Sequence, residues 1–245
     1  MEESYASRYH KLEENYWWFL GRRDIIYKLI KNYHGDTQIL DIGCSGGALT
    51  RFLRRQGFRR LYGIDNDEKA IEICRQKGII DVHVADAGET GFEDQQFDII
   101  IASDVLEHIK DEDKALFEWY RILKPEGKLI IFVPAFKFLW SKHDEVNQHY
   151  RRYSKSGLIE VLKKNGFGIE KSSYWNFSFF LPACLVRISQ RLFSGNRRRS
   201  GGQLPDVNQF INKTLEYILR LENKLLSTGI NLPLGISVFA IARKI

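Results

Sequence analysis

The stretch Ile39-Leu40-Asp41-Ile42-Gly43-Cys44-Ser45-Gly46-Gly47 constrains the fold more than any other part of the chain. It reads as a buried strand that carries an aspartate and breaks into a glycine-rich turn. Helical spacing resumes at once with Ala48-Leu49-Thr50-Arg51-Phe52-Leu53. Glycine lets a backbone turn sharply and lets a ligand approach it closely. Strand, glycine turn and helix in this order open a nucleotide-binding α/β sheet.

The pattern then alternates. A helix runs from the turn to about Gly57. Leu61-Tyr62-Gly63-Ile64 is a second strand ending at Asp65-Asn66-Asp67, and Asp67 caps a helix through about Lys77. Val82 to Ala85 is a third strand, ending at Asp86. Phe97 to Ser103 is a fourth, apolar enough to be buried on both faces. A helix from Asp111 to Leu123 stops at Pro125, and Lys128 to Val133 forms a fifth strand. Ser154 caps a helix to about Asn165, Gly168 to Trp175 is a sixth strand, and Ile236 to Ala242 is a last one. Five strands with intervening helices predict a parallel, doubly wound sheet.

Two flanks do not belong to this repeat. Tyr16-Trp17-Trp18-Phe19 precedes a helical pattern over Arg22 to Tyr33. Between Trp175 and the last strand lies a long insertion. It begins aromatic and apolar, passes through the basic linker Gly195-Asn196-Arg197-Arg198-Arg199-Ser200-Gly201-Gly202, and ends in an amphipathic helix. That helix spans Asp206 to Leu226, with Val207, Phe210, Ile211, Leu215, Ile218 and Leu225 on one face.

The 245 residues suit one large α/β domain carrying an insertion, and 44% apolar with 28% charged residues suits a globular protein. Cys44, Cys74 and Cys184 are too scattered for a disulfide or metal framework, so a reducing cytoplasm is expected and no metal. No apolar run is long enough to span a bilayer. A net charge of +6 admits an anionic partner without choosing one. No nucleic-acid-binding module is recognisable, so nucleic acid is not expected.

Carboxylates end four strands in succession: Asp41, Asp65, Asp86 and Asp104. In an open parallel sheet that edge binds ligands. Acidic residues there suit ribose hydroxyls, an adenine amine and a cationic centre, and suit a pyrophosphate badly. The loop is Gly43-x-x-Gly46-Gly47, neither the dinucleotide GxGxxG nor a P-loop ending in Gly-Lys-Ser/Thr.

With these pieces in order the chain resembles the class I S-adenosylmethionine-dependent methyltransferases. The likeness rests on Leu40 to Gly47, Gly63-Ile64-Asp65, Asp86-Ala87 and Phe97 to His108, with Leu123 to Lys128 leading into the fifth strand. It covers roughly residues 38 to 135. It implies a seven-stranded, mostly parallel Rossmann-like sheet of order 3-2-1-4-5-7-6. The domain organisation expected is an N-terminal helical cap at 1–36 and a methyltransferase domain at 37–245, with 176–230 as a helical or lid insertion. The cofactor implied is S-adenosyl-L-methionine, leaving as S-adenosyl-L-homocysteine. Asp41, Gly43, Cys44, Ser45 and Gly46 would carry its methionine part, and Asp65 with Asn66 its ribose. Asp86 and the Ala87 amide would read the adenine, with Asp104 and Val105 beside the sulfonium. Arg22 is expected to pair with the cofactor carboxylate.

The acceptor must be read from the flanks. The pairing of Tyr16-Trp17-Trp18-Phe19-x-x-Arg22-Arg23 with Trp140 to Ser154 is similar to a subgroup associated with glycan and lipid-linked sugar biosynthesis. Methyl transfer to a hydroxyl requires in-line alignment and loss of a proton. His108, His143 and His149 lie on the ligand edge as candidate bases. For His108 and His149 a merely orienting role is the alternative. Arg151 and Arg152 either hold an anionic acceptor or pair with Asp144 and Glu145. Trp17 and Trp18 either close over the cofactor or pack in the core. The function expected is O-methylation of a sugar- or lipid-linked small molecule. The alternatives are N- or C-methylation, a non-methyl transferase on the same fold, or a regulatory protein that retains the cofactor site. Residues 176–200 are either a membrane-adjacent segment, at the inner face of the membrane, or an ordinary lid with a solvated basic tip.

Overall fold

The computed structural model describes residues 12–193 and 207–245. Seven strands form one sheet: β1 (Gln38–Ile42), β2 (Arg60–Asp65), β3 (Val82–Val84), β4 (Phe97–Ser103), β5 (Leu123–Pro134), β6 (Phe167–Trp175) and β7 (Ser237–Lys244). Their spatial order is β3-β2-β1-β4-β5-β7-β6. β7 alone runs antiparallel to its neighbours. The helices are α1 (Trp17–Ile30), α2 (Ala48–Arg55), α3 (Glu68–Gln76), α4 (Glu112–Ile122), α5 (Lys142–Val146), α6 (Lys155–Lys164), α7 (Phe180–Phe193) and α8 (Gln209–Ser227).

Strand β4 explains the layering. Ile99 and Ile101 belong to one apolar cluster, Ile100 and Ala102 to the other, and all are fully buried. A strand buried on both faces needs helices on both. The first face is covered by α1, α2 and α8 through Ile25, Ile26, Ile30, Leu53, Leu219 and Leu226. The second is covered by α4 and α6 through Leu116, Trp119, Leu158 and Leu162. The six parallel strands direct their carboxyl ends to one edge, where β1, β2, β4 and β5 present the loops that concern function.

Several boundaries differ from the sequence reading. Helix α1 starts at Trp17 rather than Arg22, because the aromatic run packs: Trp18 meets Trp175 edge-on at 5.6 Å between ring centroids, and Trp17 meets Phe179 at 4.9 Å. No helix separates β3 from β4; residues 85–96 form turns, pinned by Thr90 on Glu118 and by Trp119 Nε1 on the Ala87 carbonyl. The insertion becomes helical at Phe180, with Pro182 in the first turn, where a missing N–H costs nothing. The basic linker with Arg197, Arg198 and Arg199 lies outside the described residues. Helix α8 buries Leu219, Glu222, Asn223 and Leu226. The face read as apolar turns partly outward, with Phe210 81% and Leu225 50% exposed.

The two flanks meet. A Cβ at Gly21 would stand 2.5 Å from Leu219 Cδ1, so α1 and α8 touch backbone to side chain. Buried Asn223 donates to the Gly21 carbonyl at 2.8 Å and to Asp24 at 2.9 Å, and accepts from Trp175 Nε1 at 2.8 Å. Glu222 accepts from the amides of Asn176, Phe177 and Ser178, fixing the turn that launches α7.

Candidate active site

The donor edge is built from backbone. Gly43 and Gly47 have φ of 70° and 72°, in the left-handed region that favours glycine. A Cβ at Gly43 would meet Val105 Cγ2 at 2.6 Å, and one at Gly47 would meet Ile79 Cδ1 at 2.2 Å. The loop is thus pressed between the β4 turn and the α3 layer. Asp65 accepts from the Ser45 amide at 2.9 Å and the Asp67 amide at 3.0 Å, tying the glycine loop to the end of β2. Burial pushes its carboxyl upward against those two hydrogen bonds. Each Asp65 oxygen retains a second lone pair for a hydroxyl. Asn66 and Asp86 are exposed, Ala87 is half-buried, and Gly88 donates to Asp86 at 2.7 Å.

Three residues of this edge face other tasks. Cys44 turns its thiol into a small core with Ile71, Cys74, Ile79 and Val82. Gly46 gives its carbonyl to Lys77 at 3.0 Å, and Lys77 also pairs with Glu14 at 2.8 Å. Asp41 is 6% exposed and accepts a long 3.5 Å contact from Thr50. Burial, then the neighbouring Glu13 and Asp65, pushes its carboxyl up to about 8. The segment before α1 therefore leans on the glycine loop, a contact with no local signature among the residues that make it.

Arg22, expected to meet the cofactor carboxylate, is engaged within the chain. It pairs with Asp104 at 2.9 Å and donates to Ser103 at 3.0 Å and Ser237 at 3.1 Å. Its guanidinium lies 4.6, 4.2 and 4.3 Å from the rings of Trp18, Phe132 and Trp175. This aromatic box seats a buried cation. It locks α1 onto the ends of β4, β5 and β7. Asp104 itself has φ of 59°, which holds the β4 turn open.

The acceptor side is built from side chains. Asp144, fully buried on α5, accepts from Arg152 at 2.7 and 3.1 Å and from His149 Nδ1 at 3.0 Å. Burial favours its neutral form, but His149 and Arg152 outweigh this and hold its carboxyl well below the usual range. His149 meets His108 edge-on at 4.5 Å between ring centroids and His143 at 6.2 Å. His143 contacts the Asn147 amide at 3.0 Å. His108 keeps a solvent-open face, yet partial burial and then His149 push its pKa down to about 4, so it is neutral at pH 7. Arg151 pairs with Glu112 at 2.9 Å, and Arg152 with Asp144, so both arginines serve the loop.

Two residues to which sequence reading gave no role stand out. Glu107 is fully buried, and neither carboxylate oxygen has a hydrogen-bond partner. Burial, then Asp104, raises its carboxyl far above the usual range. One ligand-type atom from each of Glu107, His108 and His149 lies within 4.8 Å of the others. Asn176, at the ligand-edge end of β6, has φ of 65°, no exposed surface and an unpartnered side-chain amide. The signal for Glu107 was its place between Asp104 and His108; Asn176 left none.

The family model described as a methyltransferase domain matches residues 40–131. The chain is 34% identical to a ubiquinone/menaquinone biosynthesis C-methyltransferase of Vibrio vulnificus, over 58% of this chain and 67% of that protein. It is 26% identical to a "Probable S-adenosylmethionine-dependent methyltransferase" of Mycolicibacterium smegmatis, over 64% of this chain. The match spans 62% of that relative's length, under two thirds. A crystal structure of a SAM-dependent methyltransferase from Archaeoglobus fulgidus superposes with a TM-score of 0.61 at 20% identity, covering 96% of this chain and 99% of that one. The chain belongs to the class I S-adenosylmethionine-dependent methyltransferases. The sheet order is the one expected of that family, and S-adenosylmethionine is its cofactor.

Proposed function

We propose that this protein transfers the methyl group of S-adenosylmethionine to a hydroxyl oxygen of a lipid-linked or sugar-like acceptor, at the membrane surface. Asp65 receives the ribose hydroxyls, Asp86 and Ala87 the adenine, and the backbone of Gly43 to Gly46 the methionine end. Asp104 and Val105 flank the sulfonium. Arg22 acts one step back by fixing Asp104. The acceptor hydroxyl sits against the histidine cluster of His108 and His149 and loses its proton there as the methyl group is transferred.

The observation that carries the oxygen reading is the Asp144–His149 contact at 3.0 Å beside a neutral His108. A nitrogen or carbon acceptor activated elsewhere would not need such an arrangement. Support for a lipid-linked acceptor comes from α7. Leu181, Leu185 and Ile188 are 70%, 67% and 52% exposed at helical spacing, and Phe210 at the start of α8 is exposed as well. Outward apolar stripes of this kind suit a lipid interface. Among the described residues, no helix is long and apolar enough to cross a membrane.

The test is incubation with methyl-labelled cofactor and lipid extracts, followed by mass spectrometry of product and acceptor. S-adenosylhomocysteine together with a methyl ether is expected. A propylamine- or carboxymethyl-bearing product, or label on nitrogen or carbon, overturns the reading. Co-sedimentation with liposomes is expected to fall in Leu181→Ser/Leu185→Ser; unchanged binding removes the membrane part.

A further inference from the structure

The acidic groups around the β4 turn are unequally served. Asp104 has Arg22 at 2.9 Å, and Asp144 has Arg152 at 2.7 Å. Glu107 is fully buried, and among the described residues its carboxylate oxygens have no hydrogen-bond partner and no direct ion pair; Arg22 and Arg152 act on it only from a distance. Burying a carboxylate without a partner is costly, and native proteins resolve it by neutralisation, pairing or metal ligation. Against Glu107 stand the imidazoles of His108 and His149.

Each imidazole has a second neighbour. His149 gives Nδ1 to Asp144 at 3.0 Å, and the Asn147 backbone bears on His108. A carboxylate or carbonyl behind a histidine fixes its tautomer and raises its basicity as a ligand, the usual outer shell of a metal site. Asp144 is anchored in turn by the bidentate Arg152 and by Ser141 at 2.8 and 3.0 Å. The three candidate ligand atoms lie within 4.8 Å of one another. Tetrahedral ligands bound at about 2.1 Å stand about 3.4 Å apart, so closure by up to about 1.4 Å completes the set. One carboxylate and two imidazoles leave open coordination positions, the pattern of catalytic rather than structural sites.

We propose that Glu107, His108 and His149 bind a divalent transition-metal ion, of the zinc or manganese class, that holds the acceptor oxygen beside the transferable methyl group. Its role in the reaction rests on the hydroxyl reading above; the ion site stands on geometry alone. The coordinated acceptor O–H releases its proton to water. The resulting alkoxide forms the new O–CH3 bond as the S–CH3 bond breaks. The bonding pair stays on sulfur and leaves S-adenosylhomocysteine. Lewis-acid activation of this kind makes a bound hydroxyl acidic enough to react without a protein base. The two imidazoles are then ligands, and the acceptor needs an accessible oxygen donor.

The experiment is metal titration of the full-length, chelator-treated protein by calorimetry with zinc and manganese(II), with cobalt(II) absorption as a second readout. One ion per chain is expected, with visible ligand-field bands and imidazole nitrogen couplings by pulsed electron resonance for manganese. Affinity is expected to fall by about 100-fold or more in Glu107→Gln and His149→Ala. Absence of a saturable site in the wild-type chain overturns the proposal, as does affinity unchanged in both variants. If a variant fails to fold by circular dichroism, the imidazole couplings of the wild-type chain decide. Hydroxyl methylation undiminished after chelation overturns the ion's role and leaves the O-methyltransferase reading standing. Saturable binding with no hydroxyl methylation does the reverse.

Discussion

The two halves of the site are made in opposite ways. The donor edge is shaped by backbone: glycines at positive φ, two amides on Asp65, and steric contacts that admit no Cβ. The acceptor side is shaped by a buried side-chain network around Asp144, joined to the sheet by Arg152 on the Ala135 carbonyl at 3.0 Å and by the Tyr150 amide on the Glu107 carbonyl at 2.8 Å. Backbone sites tolerate variation in the side chains around them. Network sites fail when one member is lost, because its partners stay buried and unpaired. A shared cofactor and a varying acceptor fit that division.

The comparison is tested most severely by His149→Ala. Turnover is expected to fall by about 10²–10⁴-fold, with cofactor affinity unchanged by calorimetry. Loss of cofactor binding instead would show that the halves are not separable. Asp65→Ala is the converse: cofactor affinity drops by about 10²-fold or more, as two charge-assisted hydrogen bonds are lost, while the freed Ser45 and Asp67 amides cost about 1–3 kcal/mol of stability without cofactor. Unchanged affinity would remove the ribose assignment.

Arg22→Ala acts on both halves, since it leaves Asp104 without its cation and empties the aromatic box. A loss of about 3–5 kcal/mol in urea unfolding is expected; a loss below about 1 kcal/mol would place the ion pair in the exposed class.

Asp41 gives a pH signature. A raised carboxyl stabilises the fold fully below its unfolded pKa of about 3.9 and loses that stabilisation as pH rises through about 8. Stability without cofactor is therefore expected to decline across that window, and Asp41→Asn should flatten the slope; an identical slope in the variant would assign it to another group. Smallest is Gly21→Ala, where the new methyl must displace Leu219. A cost of about 1–3 kcal/mol is expected by thermal denaturation, and no cost would mean that α8 is loosely seated.

What could be read from the sequence follows the same division. The strand-end aspartates and the glycine turn are local signals, since one residue type at one backbone position carries each constraint. The Asp67 and Ser154 caps were legible for the same reason. The partners of Arg22 within the chain were not legible because Asp104 and Ser237 are brought to it only by the sheet. The outward face of α8 was misread because helical periodicity does not say which stripe faces the sheet. Here Asn223 and Glu222, polar but fully partnered, take core positions. Glu107 carried no role because a buried carboxylate without a hydrogen-bond partner becomes visible only when its surroundings are seen.

The contact of α1 with α8 and β7 has a consequence for how the chain is made. Arg22 needs Ser237, and Gly21 needs Asn223, so α1 cannot reach its final seat until β7 has been made. On the ribosome, β1 to β4 and their helices can assemble while Trp17, Trp18 and Phe19 still wait in water. The aromatic run is thus a period of exposed surface during synthesis, closed when β7 emerges. Truncation by even the final strand would leave the donor loops built and the Arg22 lock open.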